Sequence, residues 1–562
     1  MRVVLRYLLY GLLWSGFDLR QSTADYRTTV TSTSYGRVKG VVVGDGSERL
    51  YKYTGIPFAK PPTGELRFKP PQPPEAWNTT LDATTTPPDC PQYIPSELQQ
   101  ILHIRMNLSE DCLYLNVYTP SVADGAMSLP VMVWIYGGAF VGGSSSTYDG
   151  STLARKGVVV VTLNYRIDAL GFLSTEDDAL PGNYGLLDQI SALRWTQKNV
   201  GSFGGDPGRV TLFGESAGAC SVSLLSVSPL AKGLFHRAII QSGSLLTPWA
   251  VTYPSTSVAP RKLAELIGAK VNCTLEDSTQ FVACLRGVKF MDLLDASTEV
   301  QEVQPFRMVL LPRIERTFGV IPDLPRKLLA LGGFEHIDTI RGFNNNEAVA
   351  LKQNLSAWMT KDEFKNVIKS KLARFTFRDL DGVVRLFEDV YLGHISDPAL
   401  TLEQASAALT DFSFAAPTLI EAKMASEISP DRKHYVYDYN YRSSISDLPP
   451  WATAQHADEV PFVFGSFALP LWRGVHAPSQ EDVRVSEQLM TLWTNFAKTG
   501  DPTVTTPAGA VEWRPSSSSQ PRMLMINKVS ELTGSGRQEA VELYGKLLPL
   551  IETSPVGVVV GK

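Results

Sequence analysis

The stretch Arg209-Val210-Thr211-Leu212-Phe213-Gly214-Glu215-Ser216-Ala217-Gly218-Ala219-Cys220 constrains this chain more than any other. A β-favouring apolar run ends at Phe213, and small residues that tolerate a helix begin at Ala217. Between them lies Gly-Glu-Ser-Ala-Gly, a G-x-S-x-G pattern in which strand turns into helix so sharply that bulk two positions either side of the serine would clash. Gly214 and Gly218 remove that bulk. The turn presents the Ser216 hydroxyl at the top of a sheet, at a helix N-terminus whose dipole favours developing negative charge. A bare G-x-S-x-G recurs by chance, and the strand before it and helix after it give it weight.

The rest of the chain agrees with a sheet at the centre. Val38 to Tyr53 alternates β-formers around Gly44-Asp45-Gly46 and reads as a hairpin. Cys112 to Tyr118, Val131 to Tyr136, Val158 to Leu163 and Ala238 to Gln241 read as strands, and the second and third are apolar enough to be buried on both faces. Leu186 to Val200 has helical spacing. Leu263 to Thr410 is mixed and mostly helical, interrupted by a strand-like run at Thr339 to Phe343. Tyr435 to Tyr437 reads as a late strand and Val485 to Lys498 as a helix. The alternation predicts an α/β fold with a large, mostly parallel central sheet.

Length and composition set the compartment and class. At 562 residues the chain can bury a large core, and it carries no internal repeat and no linker that divides it cleanly. A net charge of -5 leaves no basic surface for nucleic acid. Arg2 and Arg6 flank a basic start, Leu8 to Phe17 form a short apolar core, and Ser22-Thr23-Ala24 offer small residues at cleavage spacing. Residues 1–24 thus read as a secretory signal, followed by one domain over 25–562; Arg20 leaves an uncleaved anchor open. No later run reads as membrane-spanning. Five cysteines and sequons at Asn78, Asn107, Asn272 and Asn354 suit a secreted glycoprotein. Cys90 with Cys112 and Cys273 with Cys284 would close two loops and leave Cys220 unpaired, although other pairings stay open.

A serine hydroxyl is a poor nucleophile until a base takes its proton, so Ser216 needs a histidine and a group to orient it. In the order nucleophile, acid, base, the histidines that remain are His394, His434, His456 and His476. His456 is the best placed, in the polar loop Ala454 to Glu459 after a predicted strand. His434 starts a strand beside Lys433, where a solvated or packing role fits better. Glu347 follows the strand-like run through Asn344-Asn345-Asn346, where a carboxylate can reach the imidazole. On spacing alone, it is as readily a solvated loop glutamate. For the oxyanion, Ala217 supplies one backbone N–H, and Gly137-Gly138-Ala139 after a buried strand can supply the others.

These residues sit in motifs that resemble the cholinesterase and type-B carboxylesterase family. The matching stretches include Gly55-Ile56-Pro57-Phe58-Ala59, Glu110-Asp111-Cys112-Leu113-Tyr114-Leu115-Asn116, and Trp134-Ile135-Tyr136-Gly137-Gly138-Ala139-Phe140. Others are Gly182 to Gln189, Ser202 to Pro207, Phe213 to Ala219, Gln241 to Ser244, Phe462 to Gly465 after His456, and Trp493 to Lys498. The resemblance implies an α/β-hydrolase fold with a mixed helical region over an active-site gorge. It also implies no cofactor or metal, a triad of Ser216, Glu347 and His456, an oxyanion hole of Gly138, Ala139 and Ala217, and the two disulfides above. Ala139 stands where the family usually has a third glycine. Its methyl narrows the space for bulky alcohols.

The implied substrate is a small, uncharged carboxylic ester. Cholinesterases carry a tryptophan in the first disulfide loop and aromatics after the oxyanion loop and the acid. Here the first loop has none, and Val141 and Ala350 occupy the other places. A quaternary ammonium would find no aromatic surface. Trp249 resembles an acyl-pocket tryptophan, with Leu310 and Leu311 as candidate neighbours, while Glu215 is either a substrate-side or a structural carboxylate. The expectation is a secreted serine carboxylesterase. The alternatives are a neutral-lipid hydrolase of the bile-salt-activated kind and a silent adhesion or binding protein, since the family includes surface proteins that lost the nucleophile.

Overall fold

Runs of β-branched and aromatic residues gather into one large sheet. The computed structural model describes residues 27–93, 107–121, 128–303, 310–332, 337–349, 358–393, 395, 397–467, 477–504, 511–534 and 536–553. Outside them lie the signal reading at 1–24, the sequon at Asn354, Ala350, and the histidines His103, His336, His394 and His476.

Among the described residues the sheet has 13 strands. They are β1 (Thr28–Thr33), β2 (Gly36–Val43), β3 (Leu50–Pro57), β4 (Leu81–Asp82), β5 (Tyr114–Thr119), β6 (Leu129–Ile135) and β7 (Val159–Leu163). After these come β8 (Gly205–Glu215), β9 (Arg237–Gln241), β10 (Asp338–Asn344), β11 (His434–Tyr439), β12 (Met523–Ile526) and β13 (Glu531–Thr533). The spatial order is β1-β2-β3-β5-β7-β6-β8-β9-β10-β11-β12-β13, with β4 beside β2. From β7 to β12 every neighbouring pair is parallel, and antiparallel pairs flank this centre.

The unbroken apolar runs lie where they must. All five residues of β7 are buried, as are the last six residues of β8, because helices cover the sheet. The helix Ala217–Val227 packs on β8, β9 and β6, and Gln480–Thr499 crosses β6 and β8. The hairpin expected over Val38 to Tyr53 is β2–β3. The sequence does not announce β1, β4, β12 or β13. β1, β4 and β13 are partly exposed strands at the margins with few buried positions, and β12, though apolar and mostly buried, is only four residues long. His434 is buried rather than solvated, with its Nδ1 2.8 Å from Thr339 Oγ1.

Cys90–Cys112 and Cys273–Cys284 are disulfides, and Cys220 is free and buried. Asn78, Asn107 and Asn272 are exposed. No helix among the described residues is long and apolar enough to cross a membrane.

The parallel centre sets the site. The carboxyl ends of β6, β8 and β10 release Gly137, Ser216 and Asn345 at the same edge, where an open α/β sheet offers its crevice.

Candidate active site

The elbow is built by steric exclusion. Ser216 has φ 58° and ψ −124°, a conformation that a side chain other than glycine rarely holds. A Cβ on Gly218 would stand 2.0 Å from the Ile135 carbonyl oxygen, and one on Gly214 would stand 2.7 Å from that same oxygen. Only glycine lets β8 and the following helix approach β6 this closely. The Ser216 N–H donates to Gln241 O at 2.9 Å, which ties the elbow to β9.

His456 and Glu347 arrive from two other loops and meet the serine. His456 Nε2 lies 2.8 Å from Ser216 Oγ, and Nδ1 lies 2.6 Å from Glu347 Oε2. With the proton on Nδ1, that nitrogen donates to the carboxylate and Nε2 accepts from the serine hydroxyl. Glu347 is fully buried, and its other oxygen accepts the Asn344 N–H at 2.8 Å. The two loops are stitched to each other. Asn346 N–H donates to Ala454 O at 2.9 Å, and Thr453 N–H to Asn346 Oδ1 at 2.8 Å.

Charge is concentrated here. Glu215 Oε1 lies 3.1 Å from His456 Nε2, so the imidazole has a carboxylate at each end. Burial pulls the His456 pKa down, but Glu215 and Glu347 outweigh it and set it at about 9. Burial raises the Glu215 pKa to about 8, against the pull of His456 and with Glu459 and Glu347 pushing the same way as burial.

The loop after β6 closes over the serine. A Cβ on Gly137 would sit 2.8 Å from Ser216 Cβ. Gly138 has φ 113° and Ala139 has φ 57°. Val141 and Gly142 N–H both donate to Gly138 O at 3.0 Å and fix the turn. Ala217 begins its helix, so its N–H is among those that have no partner within the helix.

Several functional neighbours escaped the sequence reading. Glu459 is fully buried and accepts from Gln241 Nε2 at 3.0 Å and Asn344 Nδ2 at 2.6 Å, while Gln241 Oε1 accepts from Trp493 Nε1 at 2.9 Å. The available signal was a carboxylate heading the apolar run Val460 to Phe464, three residues after His456. Phe414 sits with its ring 4.8 Å from the His456 ring and 5.5 Å from Trp249. It is carried by a π-helical turn, Asp411–Ala415, which no periodicity revealed. Trp249 thus adjoins the site through Phe414 and donates its Nε1–H to Ser413 O at 3.1 Å. Leu310 and Leu311 are buried. Among the described residues no cluster of three or more His, Cys, Asp or Glu side chains is arranged to hold a metal ion.

A nucleophile on a strained elbow, a base within hydrogen-bond reach and a buried carboxylate behind it can perform acyl transfer. Relatives of the chain include proteins named as esterases and one that is not. It is 36% identical to human cocaine esterase over 94% of this chain and 92% of that protein. It is 34% identical to rat carboxylesterase 1E, over 93% of this chain and 94% of the relative. Mouse neuroligin-2 is also 34% identical, over 94% of this chain and 68% of the relative. Residues 27–544 match the carboxylesterase family profile, and the chain belongs to the carboxylesterase family.

Proposed function

We propose that this protein is a secreted serine esterase that hydrolyses uncharged carboxylic esters through an acyl-enzyme on Ser216. The observation that carries the reading is the continuous hydrogen-bonded line Ser216–His456–Glu347. His456 takes the Ser216 proton as Oγ attacks the ester carbonyl, and Glu347 steadies the imidazolium. Negative charge gathers on the carbonyl oxygen, within reach of the Gly138, Ala139 and Ala217 N–H groups. Collapse breaks the bond to the alcohol, which leaves with the proton from His456. Water, deprotonated by the same imidazole, then frees the acid and restores the serine.

Glu215 belongs to this reading as the second carboxylate on the base, and Trp249 with Phe414 as the wall on the acyl side. Export is supported by the basic, then apolar, residues 1–24 and by two disulfides in a chain of five cysteines. Residues 25–562 then form one catalytic domain, with Asn78, Asn107, Asn272 and Asn354 as glycan acceptors. A second reading, a catalytically silent relative, draws on the likeness to neuroligin-2.

One experiment separates the two. The purified protein is treated with a fluorophosphonate and its peptides are mapped, with Ser216→Ala as the control. Labelling at Ser216 that the variant abolishes supports the esterase. A folded protein that takes no label overturns it in favour of the silent reading.

A further inference from the structure

One buried carboxylate near the site has no place in the chemistry above. Asp168 opens the short helix Asp168–Phe172 and is 2% exposed. Its φ of 52° lies in the left-handed region, uncommon outside glycine although aspartate visits it more readily than most residues, and its surroundings hold it there. Those surroundings reach in two directions.

The backbone reaches the oxyanion loop. Asp168 N–H donates to Phe140 O at 2.7 Å, and Phe140 has φ 62°, directly after Ala139 at 57°. The turn is therefore anchored on one side by the Val141 and Gly142 bonds to Gly138 O, and on the other by Asp168. The amides of Gly138 and Ala139 lie within the stretch that these anchors fix.

The side chain reaches a separate helix. Asp168 Oδ1 accepts from the Ala169 N–H at 2.5 Å and from the Ser297 hydroxyl, and Oδ2 accepts from Gln301 Nε2 at 3.2 Å. Gln301 also donates to Ser297 Oγ at 3.1 Å. Ser297 and Gln301 are four residues apart, on one face of the helix Phe290–Glu302. These donors are all neutral. A buried carboxylate held by neutral donors is a costly way to fill space, and a leucine would fill it more cheaply.

We propose that Asp168 is a positioning residue for the oxyanion loop: its carboxylate latches the helix Phe290–Glu302, and its N–H then holds the Phe140 carbonyl so that the Gly138 and Ala139 N–H groups point at the reacting oxygen. The proposal rests on the esterase reading. It requires that the left-handed backbone at residue 168 be stabilised by the latch. Without the latch, the chain at 168 relaxes and the anchor on Phe140 slackens.

The test uses two proteins. Asp168→Ala keeps the N–H and removes the latch, and the double variant Ser297→Ala/Gln301→Leu removes the latch from the helix side while leaving residues 137–168 untouched. For each, kcat and KM are measured on a neutral short ester, together with inhibition by a trifluoromethyl ketone, whose adduct with Ser216 places an oxyanion in the hole. The expected result is a fall in kcat of at least about tenfold with KM within about twofold, and ketone affinity weakened by a similar factor. Folded variants that melt lower yet keep wild-type kcat and ketone affinity confine Asp168 to the fold and overturn the proposal. If Asp168→Ala does not fold, the double variant decides by the same readouts. A wild-type protein that takes no fluorophosphonate and turns over no ester overturns the esterase reading and the latch together. An active wild type matched by its variants overturns the latch alone.

Discussion

Replacing Glu215 by glutamine removes one charge beside the base and leaves its shape. The Glu215 oxygen is 3.1 Å from His456 Nε2. Two unit charges at 3.1 Å attract by about 1.3 kcal/mol at the dielectric of water and about 5 kcal/mol at an effective dielectric of 20, equivalent to about 1 to 4 pK units. Burial pushes Glu215 itself up to about 8, so most of its charge is already gone near neutrality and the lower end of that range applies. The sign follows from which form of histidine works. The raised pKa, about 9, keeps His456 as imidazolium into mildly alkaline solution, and only the neutral ring can take the Ser216 proton. Activity of the wild type should therefore climb as pH rises through the region where the imidazole and Glu215 titrate together. In Glu215→Gln the acid limb of kcat/KM should move to lower pH by about 1 to 2 units. A pH-stat series on a neutral ester between about pH 5 and 10 reads this directly, since that range brackets both titrations. A limb that stays put, or moves to higher pH, refutes the argument that the Glu215 charge governs the base.

Four further outcomes follow from contacts already described or adjacent to them. Gly218→Ala drives a methyl into the Ile135 carbonyl and should cost more than about 3 kcal/mol by denaturant unfolding, with loss of fluorophosphonate labelling. Ala139→Gly relieves a left-handed alanine and should raise turnover of esters of branched alcohols relative to ethyl esters, as competition assays between the two would show. Glu421→Gln strips the charge partner from the fully buried Arg341, bonded at 2.9 Å, and should destabilise by about 3–5 kcal/mol in thermal unfolding. Replacing both Cys273 and Cys284 by serine opens a loop with a sequence separation of 11 and should cost about 2–3 kcal/mol in denaturant unfolding, with activity retained in the folded protein.

The centre of the fold was legible because parallel strands buried on both faces leave runs such as Val158 to Leu163 that a surface strand cannot have. The elbow was legible for a steric reason. Its two glycines are demanded by a carbonyl of the neighbouring strand, so they leave a fixed spacing in the sequence. Glu347 was different. Its environment is made by the Asn344 amide, the His456 ring and a loop 109 residues away, and spacing alone could not separate it from a solvated glutamate. The marginal strands β1 and β13 were silent because they bury too little to bias composition, and β12 because its buried apolar run is only four residues long.

The residues that were missed share one property: their partners are not on their own element. Glu459 takes its meaning from Gln241 at the end of β9 and Asn344 at the end of β10, and these are neighbours only because the two strands pair in parallel. Phe414 depends on register as well. An α-helix continued through Asp411 would carry a side chain about 100° further per residue, whereas the π-helical turn delays that rotation and delivers the ring onto His456 and Trp249 together. A helical pattern in the sequence cannot record where one extra residue is absorbed. If Trp249 and Phe414 form the acyl side as proposed, a backbone irregularity shapes it, and substitutions between Asp411 and Ala415 should alter ester preference, read as kcat/KM across acyl lengths, even where their side chains never meet the substrate.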